Sequence, residues 1–216
     1  MLINISNKDL SEYVGKQIGH YFPDKISYDR IKFNSMLDKT MDRVEYCFRH
    51  INSKYFRIDN RSTFDYLHGD HYSMFLYLLS NTIYREGFDQ VLSAKLFLLN
   101  KALFGIDIFY EISLPDIFLF VHPIGSIIGR GKFNDYLIIY QGCNIGNNHS
   151  VYPNLGKYVT LHPNVSILGN CTIGNNCEFG SNSLIIDKDL DDNTIYIGTP
   201  RQYTTKTNSR INKIWD

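Results

Sequence analysis

The feature that most constrains this chain is a large apolar residue at every sixth position along its C-terminal half. The period runs without exception through Leu155, Leu161, Ile167, Ile173, Phe179 and Ile185. A small or thin side chain stands two places before each of these positions from Leu161 onward. Neither a helix nor a single strand repeats in this way. One inward residue per face, with a small residue at each corner, predicts a triangular parallel β-helix with three hexads to a coil.

The series of apolar residues at every sixth position, which we call the ladder, continues toward the N-terminus with a single defect. Its earlier members are Ile145, Ile139, Phe133, Ile127 and Val121. Ten residues rather than six separate Ile145 from Leu155, which predicts that four extra residues leave the coil as a loop within 147–154. A loop on such a rigid scaffold is a common place for ligand contacts. We expect three to four coils between Val121 and Leu190, too few to bury enough apolar surface alone.

Charge balance and cysteine placement narrow the functional classes. The chain holds 22 Lys and Arg and 22 Asp and Glu residues without a basic block, so we predict no nucleic-acid partner. No apolar run reaches the roughly eighteen residues of a membrane span, and we expect no signal segment. Cys143, Cys171 and Cys177 lie at small corner positions, which favours buried thiols over a zinc pair. We therefore predict a cytoplasmic protein that holds no metal.

The spacing of the apolar residues changes near residue 110. Upstream, aromatic residues recur with helical spacing and predict helices over Lys8–Tyr21, Asn34–Ile51, Ser62 to Gly87, and Phe88 to Gly105. The predicted fold class is therefore α+β, with a helical domain over 1–110 and the β-helix over 111–200. Residues 201–216 form a polar tail, which we expect either to be disordered or to lie across a neighbouring subunit.

Three motifs in the β-helix region resemble the hexapeptide-repeat acyltransferases, and among them the serine acetyltransferases. They are His-Pro-Ile-Gly-Ser-Ile-Ile-Gly over 122–129, Gln-Gly-Cys-Asn-Ile-Gly over 141–146, and Gly-Thr-Pro over 198–200. Residues 64–84 and 99–111 are similar to a branch of that family found among bacterial surface-polysaccharide genes. The resemblance implies a left-handed β-helix, a homotrimer with active sites at the subunit seams, and acetyl-CoA as the acyl donor.

The same resemblance implies that His122 is the catalytic base. Its imidazole would take the proton of an acceptor hydroxyl as that hydroxyl attacks the thioester. In a second alignment His122 and Pro123 match a non-catalytic His-Pro, but this alignment requires a whole coil to be missing before Asn134. A corner histidine satisfied by hydrogen bonds is the purely structural alternative. Charge on the thioester oxygen would be stabilised by a backbone N–H near Gly142 or in the Gly146 loop.

Cofactor binding is assigned by the same motif-to-motif match. In the family, the pantetheine arm of CoA lies along backbone groups between adjacent prisms. The residues that this implies here are Gly142, Gly146, Pro163, Ser181 and Arg201. Arg201 would pair with a CoA phosphate, because a guanidinium group can donate two parallel hydrogen bonds to it.

Two departures from the serine-specific pattern concern the acceptor. Val121 stands where the family has Asp, and Tyr152 stands where it has His, so we predict a saccharide hydroxyl rather than free serine. Asp70, His149 and Tyr152 are the candidate acceptor-binding residues. A capping carboxylate and a solvated loop imidazole are the structural alternatives for the first two of these. His162 is expected to point outward at the surface.

Three other functions stay open at this stage. Serine O-acetylation would release thiol from acetyl-CoA with free L-serine. N-acetylation of a nucleotide-linked amino sugar would require an amine acceptor. A non-catalytic hexapeptide scaffold would show no thermal shift with CoA.

Overall fold

A computed structural model describes residues 1–24 and 27–215 of the chain. The chain forms two compact units, one of residues 1–104 with 109–111, and the other of residues 105–108 with the chain from 112 onward. Among the described residues, no helix combines the length and the apolar character needed to cross a membrane.

The first unit is helical, as predicted, with a small sheet added. Its described residues form four helices: α1 Asn7–Tyr21, α2 Arg30–Phe48, α3 Gly69–Arg85 and α4 Gln90–Phe104. Polar caps begin the first two, because Ser6 accepts the Asp9 N–H and Asp29 accepts those of Ile31 and Lys32. Strands β1 Leu2–Ile3, β2 Arg57–Ile58 and β3 Arg61–Phe64 form a sheet in the order β1-β3-β2.

The start of the third helix differs from the prediction. Residues Arg61–Phe64 are a strand paired with both of its neighbours, so the helix begins at Gly69 rather than near Ser62. The Asp65 carboxylate accepts the Leu67 N–H at 2.9 Å. This local hydrogen bond makes a turn where the sequence pattern indicated a capping box.

A buried histidine lies beside this turn. His71 is fully buried, its Nδ1 accepts the Asp65 N–H at 3.1 Å, and its ring centroid lies 4.3 Å from that of Phe56. His68 stacks on it, with 4.2 Å between ring centroids. Burial, and secondly the charge of His68, lower the pKa of His71 to about 3. The folded unit therefore holds His71 neutral.

We expect acid to destabilise the protein through His71. The unfolded chain binds this proton below pH 6.5 and the folded chain only below about 3, so stability falls as pH decreases through that window. The loss between pH 6.5 and pH 5 amounts to about 2 kcal/mol of unfolding free energy. Urea denaturation at several pH values measures it. His71→Asn, which keeps an acceptor but does not titrate, should lack this component; an unchanged pH dependence would contradict the assignment.

The second unit is a parallel β-helix, which confirms the predicted fold class. Its described residues place five parallel strands on each of two faces. Face 1 consists of β5 Phe118–Val121, β7 Leu137–Tyr140, β10 Thr160–Leu161, β13 Glu178–Phe179 and β15 Thr194–Thr199. Face 2 consists of β4 Asp107–Ile108, β6 Ile127–Ile128, β8 Asn144–Gly146, β11 Ser166–Leu168 and β14 Leu184–Ile186. Face 3 is shorter, with β9 Asn154–Leu155 and β12 Thr172–Ile173.

The inward ladder is confirmed from Ile139 onward and is wrong by one residue at Val121 and Ile127. Parallel register aligns Ile128 with Ile145, and Phe120 with Ile139. Ile128 is 1% exposed whereas Ile127 is 52% exposed, and Phe120 rather than Val121 is fully buried. The hexad period fails here because the segment between Phe120 and Ile128 contains a longer turn. Three to four coils lie between Val121 and Leu190, as predicted, and strands on both sides of this range extend the stack without keeping the period.

The C-terminal segment is ordered on its own β-helix. Strand β16 Gln202–Thr207 pairs antiparallel with β15. Asn208 then donates its backbone N–H to the Asn193 carbonyl at 2.8 Å. The Trp215 ring lies 5.5 Å from that of Tyr136, between centroids, and is nearly buried. The predicted tail 201–216 is therefore a hairpin strand and a packed segment up to 215; residue 216 lies outside the described residues.

Candidate active site

One corner of the β-helix gathers four of the predicted site residues. We call corner 1 the turn that joins a face 1 strand to the next face 2 strand. His122, Gly142, Pro163 and Ser181 occupy this turn in successive coils. The Gly142 N–H donates to the Ile124 carbonyl at 2.9 Å, and the turns at Pro163 and Ser181 stack above it through further backbone hydrogen bonds. The structure thus aligns the predicted base with three predicted cofactor positions.

His122 begins the first of these turns. Its side chain is exposed and its backbone has a φ of +47°. A left-handed conformation costs a non-glycine residue roughly 1 kcal/mol, so it is held by the surrounding structure. The Ile124 N–H donates to the His122 carbonyl at 2.7 Å, and Ser126 closes the turn on Pro123 at 3.1 Å. The corner therefore fixes the backbone that carries the imidazole.

Gly142 is a structural requirement of corner 1. Its φ is +68°, and a Cβ at this position would lie 2.1 Å from Asn164 Oδ1. The Asn164 amide in turn donates to Asn182 Oδ1 at 3.1 Å, which extends the stack by one coil. Because the Gly142 N–H already donates to Ile124, it cannot also stabilise a thioester oxyanion. The predicted oxyanion donor, a backbone N–H near Gly142 or in the Gly146 loop, would therefore be an N–H other than that of Gly142 itself, and it stays a prediction.

A second corner carries the loop residues. Here the chain passes from face 2 to face 3, and Gly146 accepts the Gly169 N–H at 3.0 Å. Asn148 and Val151 exchange backbone hydrogen bonds of 3.1 and 3.0 Å around His149 and Ser150, both with positive φ. This is a two-residue hairpin turn of type I′, which accounts for the predicted extra residues.

The side chains of this loop face solvent. His149 is exposed, and Tyr152 is 38% exposed with its hydroxyl accepting from the Asn147 amide at 3.4 Å. The backbone N–H of Asn170, and secondly the Asn148 side chain, lower the pKa of Asp187, to which the charge of His149 also contributes. The ionised Asp187 carboxylate thus connects Asn148, at the start of the loop turn, to the next coil.

The remaining predicted residues lie elsewhere. The two corners lie at opposite ends of β8, and the four residue steps from Gly142 to Gly146 span at most about 13 Å of extended chain. Arg201 is exposed in the turn between β15 and β16. Asp70 lies in the first turn of α3, in the helical unit, and is buried there.

Sequence reasoning missed a polar cluster on the outside of face 1. His162 Nε2 lies 2.7 Å from Glu178 Oε1, and the His162 ring stacks on Tyr140 with 5.3 Å between centroids. Burial, and secondly the Glu178 charge, raise the pKa of Tyr140. The register between strands β7 and β10 could have revealed this cluster, because Tyr140 and His162 each directly follow one of two paired inward residues. The predicted surface histidine is therefore half-buried and paired.

The corner cysteines are buried and free, as predicted. Burial raises the pKa of Cys143 to about 11, and its Sγ lies 3.3 Å from the His162 carbonyl. A thiol in this state is not a nucleophile at neutral pH. Among the residues that the structure describes, three His, Cys, Asp or Glu side chains are nowhere grouped to hold a metal ion.

Part of the chain matches a known protein family. The family model for the bacterial transferase hexapeptide (six repeats) matches residues 152–187. Residues 152–187 therefore carry hexapeptide repeats. The matched repeats and the β-helix fold agree with the predicted resemblance to the hexapeptide-repeat acyltransferase superfamily. No curated protein sequence matches the chain significantly.

Solved structures show the same fold over most of the chain. Neisseria gonorrhoeae serine acetyltransferase has 19% identity and a TM-score of 0.69, covering 94% of this chain and 83% of its own. The enzyme from Brucella abortus strain S19 has 18% identity and a TM-score of 0.68, with 85% and 76% covered. A serine acetyltransferase in complex with CoA has 14% identity and a TM-score of 0.69, with 93% and 84% covered.

Proposed function

We propose that this protein is an acetyl-CoA-dependent O-acetyltransferase that acts on a saccharide hydroxyl. The observation that carries the proposal is corner 1, where an exposed histidine lies in line with three cofactor positions assigned by motif. An acyltransferase is supported by the hexapeptide repeats and by the serine acetyltransferase fold. Free cysteines support a cytoplasmic location, where acetyl-CoA would be available.

His122 is the general base in this proposal. Its imidazole accepts the proton of the acceptor hydroxyl while the oxygen forms a bond to the thioester carbon. The carbon–sulfur bond then breaks, and the CoA thiolate takes up the proton from the imidazolium. Transfer is direct, since burial keeps the thiol of Cys143 protonated and leaves no nucleophile there for an acyl-enzyme.

Acyl-CoA binding rests on corner 1 and on the solved complex of a serine acetyltransferase with CoA. Pro163 and Ser181 would line the pantetheine arm, and Gly142 would let the arm approach the backbone closely. Arg201 would bind a CoA phosphate from the β15–β16 turn. Gly146 would contribute from the second corner, as part of a neighbouring subunit.

We expect a homotrimer in solution. The predicted base lies at one corner and the loop residues His149 and Tyr152 lie at another, so a site that uses both sets requires two copies of the chain. Light scattering at micromolar concentration should give three times the mass of 25.1 kDa. A monomer mass would contradict the proposal.

Serine O-acetylation is the second candidate. It is favoured by the fold shared with serine acetyltransferases, one of them solved with serine bound. A thiol-release assay with acetyl-CoA against neutral sugars, nucleotide sugars, amino sugars and L-serine separates the candidates. Release with a sugar hydroxyl supports the proposal, whereas release with serine or with an amine alone replaces it. The absence of any thermal shift with CoA would leave only the scaffold function.

A further inference from the structure

Three successive strands of face 1 place Tyr140, His162 and Glu178 together in one cluster on the outside of the β-helix. Tyr140 and His162 extend outward from neighbouring strands, about 4.8 Å apart in the stack, each directly after a buried inward residue. Their rings are tilted by 27°. Glu178 comes from the third strand and bonds the His162 ring at 2.7 Å. The pair holds the imidazole in a fixed orientation beside the phenol.

The cluster keeps polar atoms available for a ligand. The side chains of His162 and Glu178 are 31% and 36% exposed. Within the described residues, His162 Nδ1, the Tyr140 hydroxyl and the second Glu178 oxygen make no hydrogen bond. Together these atoms provide donors and acceptors around the edge of an aromatic surface.

The cluster also lies beside corner 1. Register aligns Val121 with Tyr140, and His122 follows Val121 directly. Pro163, one of the predicted cofactor positions, follows His162. A ligand on this surface would therefore lie on the same edge of the β-helix as the proposed base.

The chemistry of the cluster selects the ligand. A carboxylate repels anions, which argues against a CoA phosphate and against the carboxylate of a free amino acid. A purely apolar ligand would leave Glu178 desolvated without a partner. A neutral ring with an apolar face and several hydroxyl groups meets both requirements, because its face covers the aromatic rings and its hydroxyls donate to Glu178.

We propose that Tyr140, His162 and Glu178 form the acceptor subsite and bind a neutral saccharide ring. This inference rests on the proposed function, since it names the place where the sugar is held. Tyr140 and Glu178 contact the ring, and His162 is a positioning residue that fixes the Glu178 carboxylate.

Steady-state kinetics test the subsite, with methyl glycosides of neutral hexoses and the corresponding uronic acids as probes. Tyr140→Leu and Glu178→Gln should raise the KM for the neutral glycoside at least about tenfold, with kcat and the KM for acetyl-CoA little changed. Glu178→Gln should also reduce the discrimination against uronic acids. Tyr203→Leu, an aromatic change on β16 outside the cluster, is the matched control and should leave these constants unchanged. Circular dichroism verifies that each variant is folded.

The outcomes separate the two proposals. Sugar acetylation with unchanged KM in both variants overturns the subsite and leaves the proposed function intact. A large loss of kcat in His162→Asn at unchanged KM also overturns it, because the His162–Glu178 pair would then be the base. Failure of every saccharide to release thiol overturns the proposed function, and the subsite with it.

Discussion

Replacement of His122 should lower turnover by roughly 10² to 10⁴-fold, because the acceptor hydroxyl would lose the group that takes its proton. His122→Asn is the better variant for this test. Asparagine tolerates the positive φ of +47° at this position, whereas alanine would add backbone strain to the loss of the base. The measurement is kcat from initial rates of thiol release.

CoA affinity separates chemistry from folding in this experiment. Isothermal titration should give the same affinity for CoA in His122→Asn as in the original chain. His149→Asn is a matched comparison, because His149 is also exposed with a positive φ of +48°. That variant should affect the KM for the acceptor rather than kcat. If His149→Asn instead abolished turnover and His122→Asn did not, the base would lie in the loop of the second corner.

Free L-serine should be a poor acceptor, with a kcat/KM at least about 10³-fold below that of the preferred saccharide. The reason is the side chains at Val121 and Tyr152, which provide no charge where the serine-specific pattern has Asp and His. A zwitterion bound without compensating groups would desolvate its own charges, which costs several kcal/mol. Thiol release at increasing serine concentration measures the constant.

The same prediction has a gain-of-function control. The double variant Val121→Asp, Tyr152→His introduces both residue types, and it should raise activity toward serine at least about tenfold. Activity of the original chain toward serine above roughly 10⁴ M⁻¹s⁻¹ would lie in the range of a true substrate and would favour the second candidate function.

The repeat was readable from the sequence because it is a local rule. Each inward residue from Ile139 to Ile185 satisfies the same geometric requirement, one apolar side chain per face, so spacing alone predicts the β-helix. The loop before Leu155 could be predicted for the same reason, since extra residues must leave a coil of fixed size. Buried corner thiols follow from the limited space at each turn.

Tertiary structure decided what the period does not encode. The inward positions Phe120 and Ile128 depend on the length of one turn, and the start of α3 depends on strand pairing by Arg61–Phe64. The contact between Tyr140 and His162 depends on the register between strands whose separation along the chain includes the inserted loop of the second corner. Local spacing determines which residues point inward. The pairing of residues in neighbouring coils, by contrast, depends on the length of every insertion between them. The sequence alone therefore determined the architecture, and only the folded chain determined which outward side chains meet.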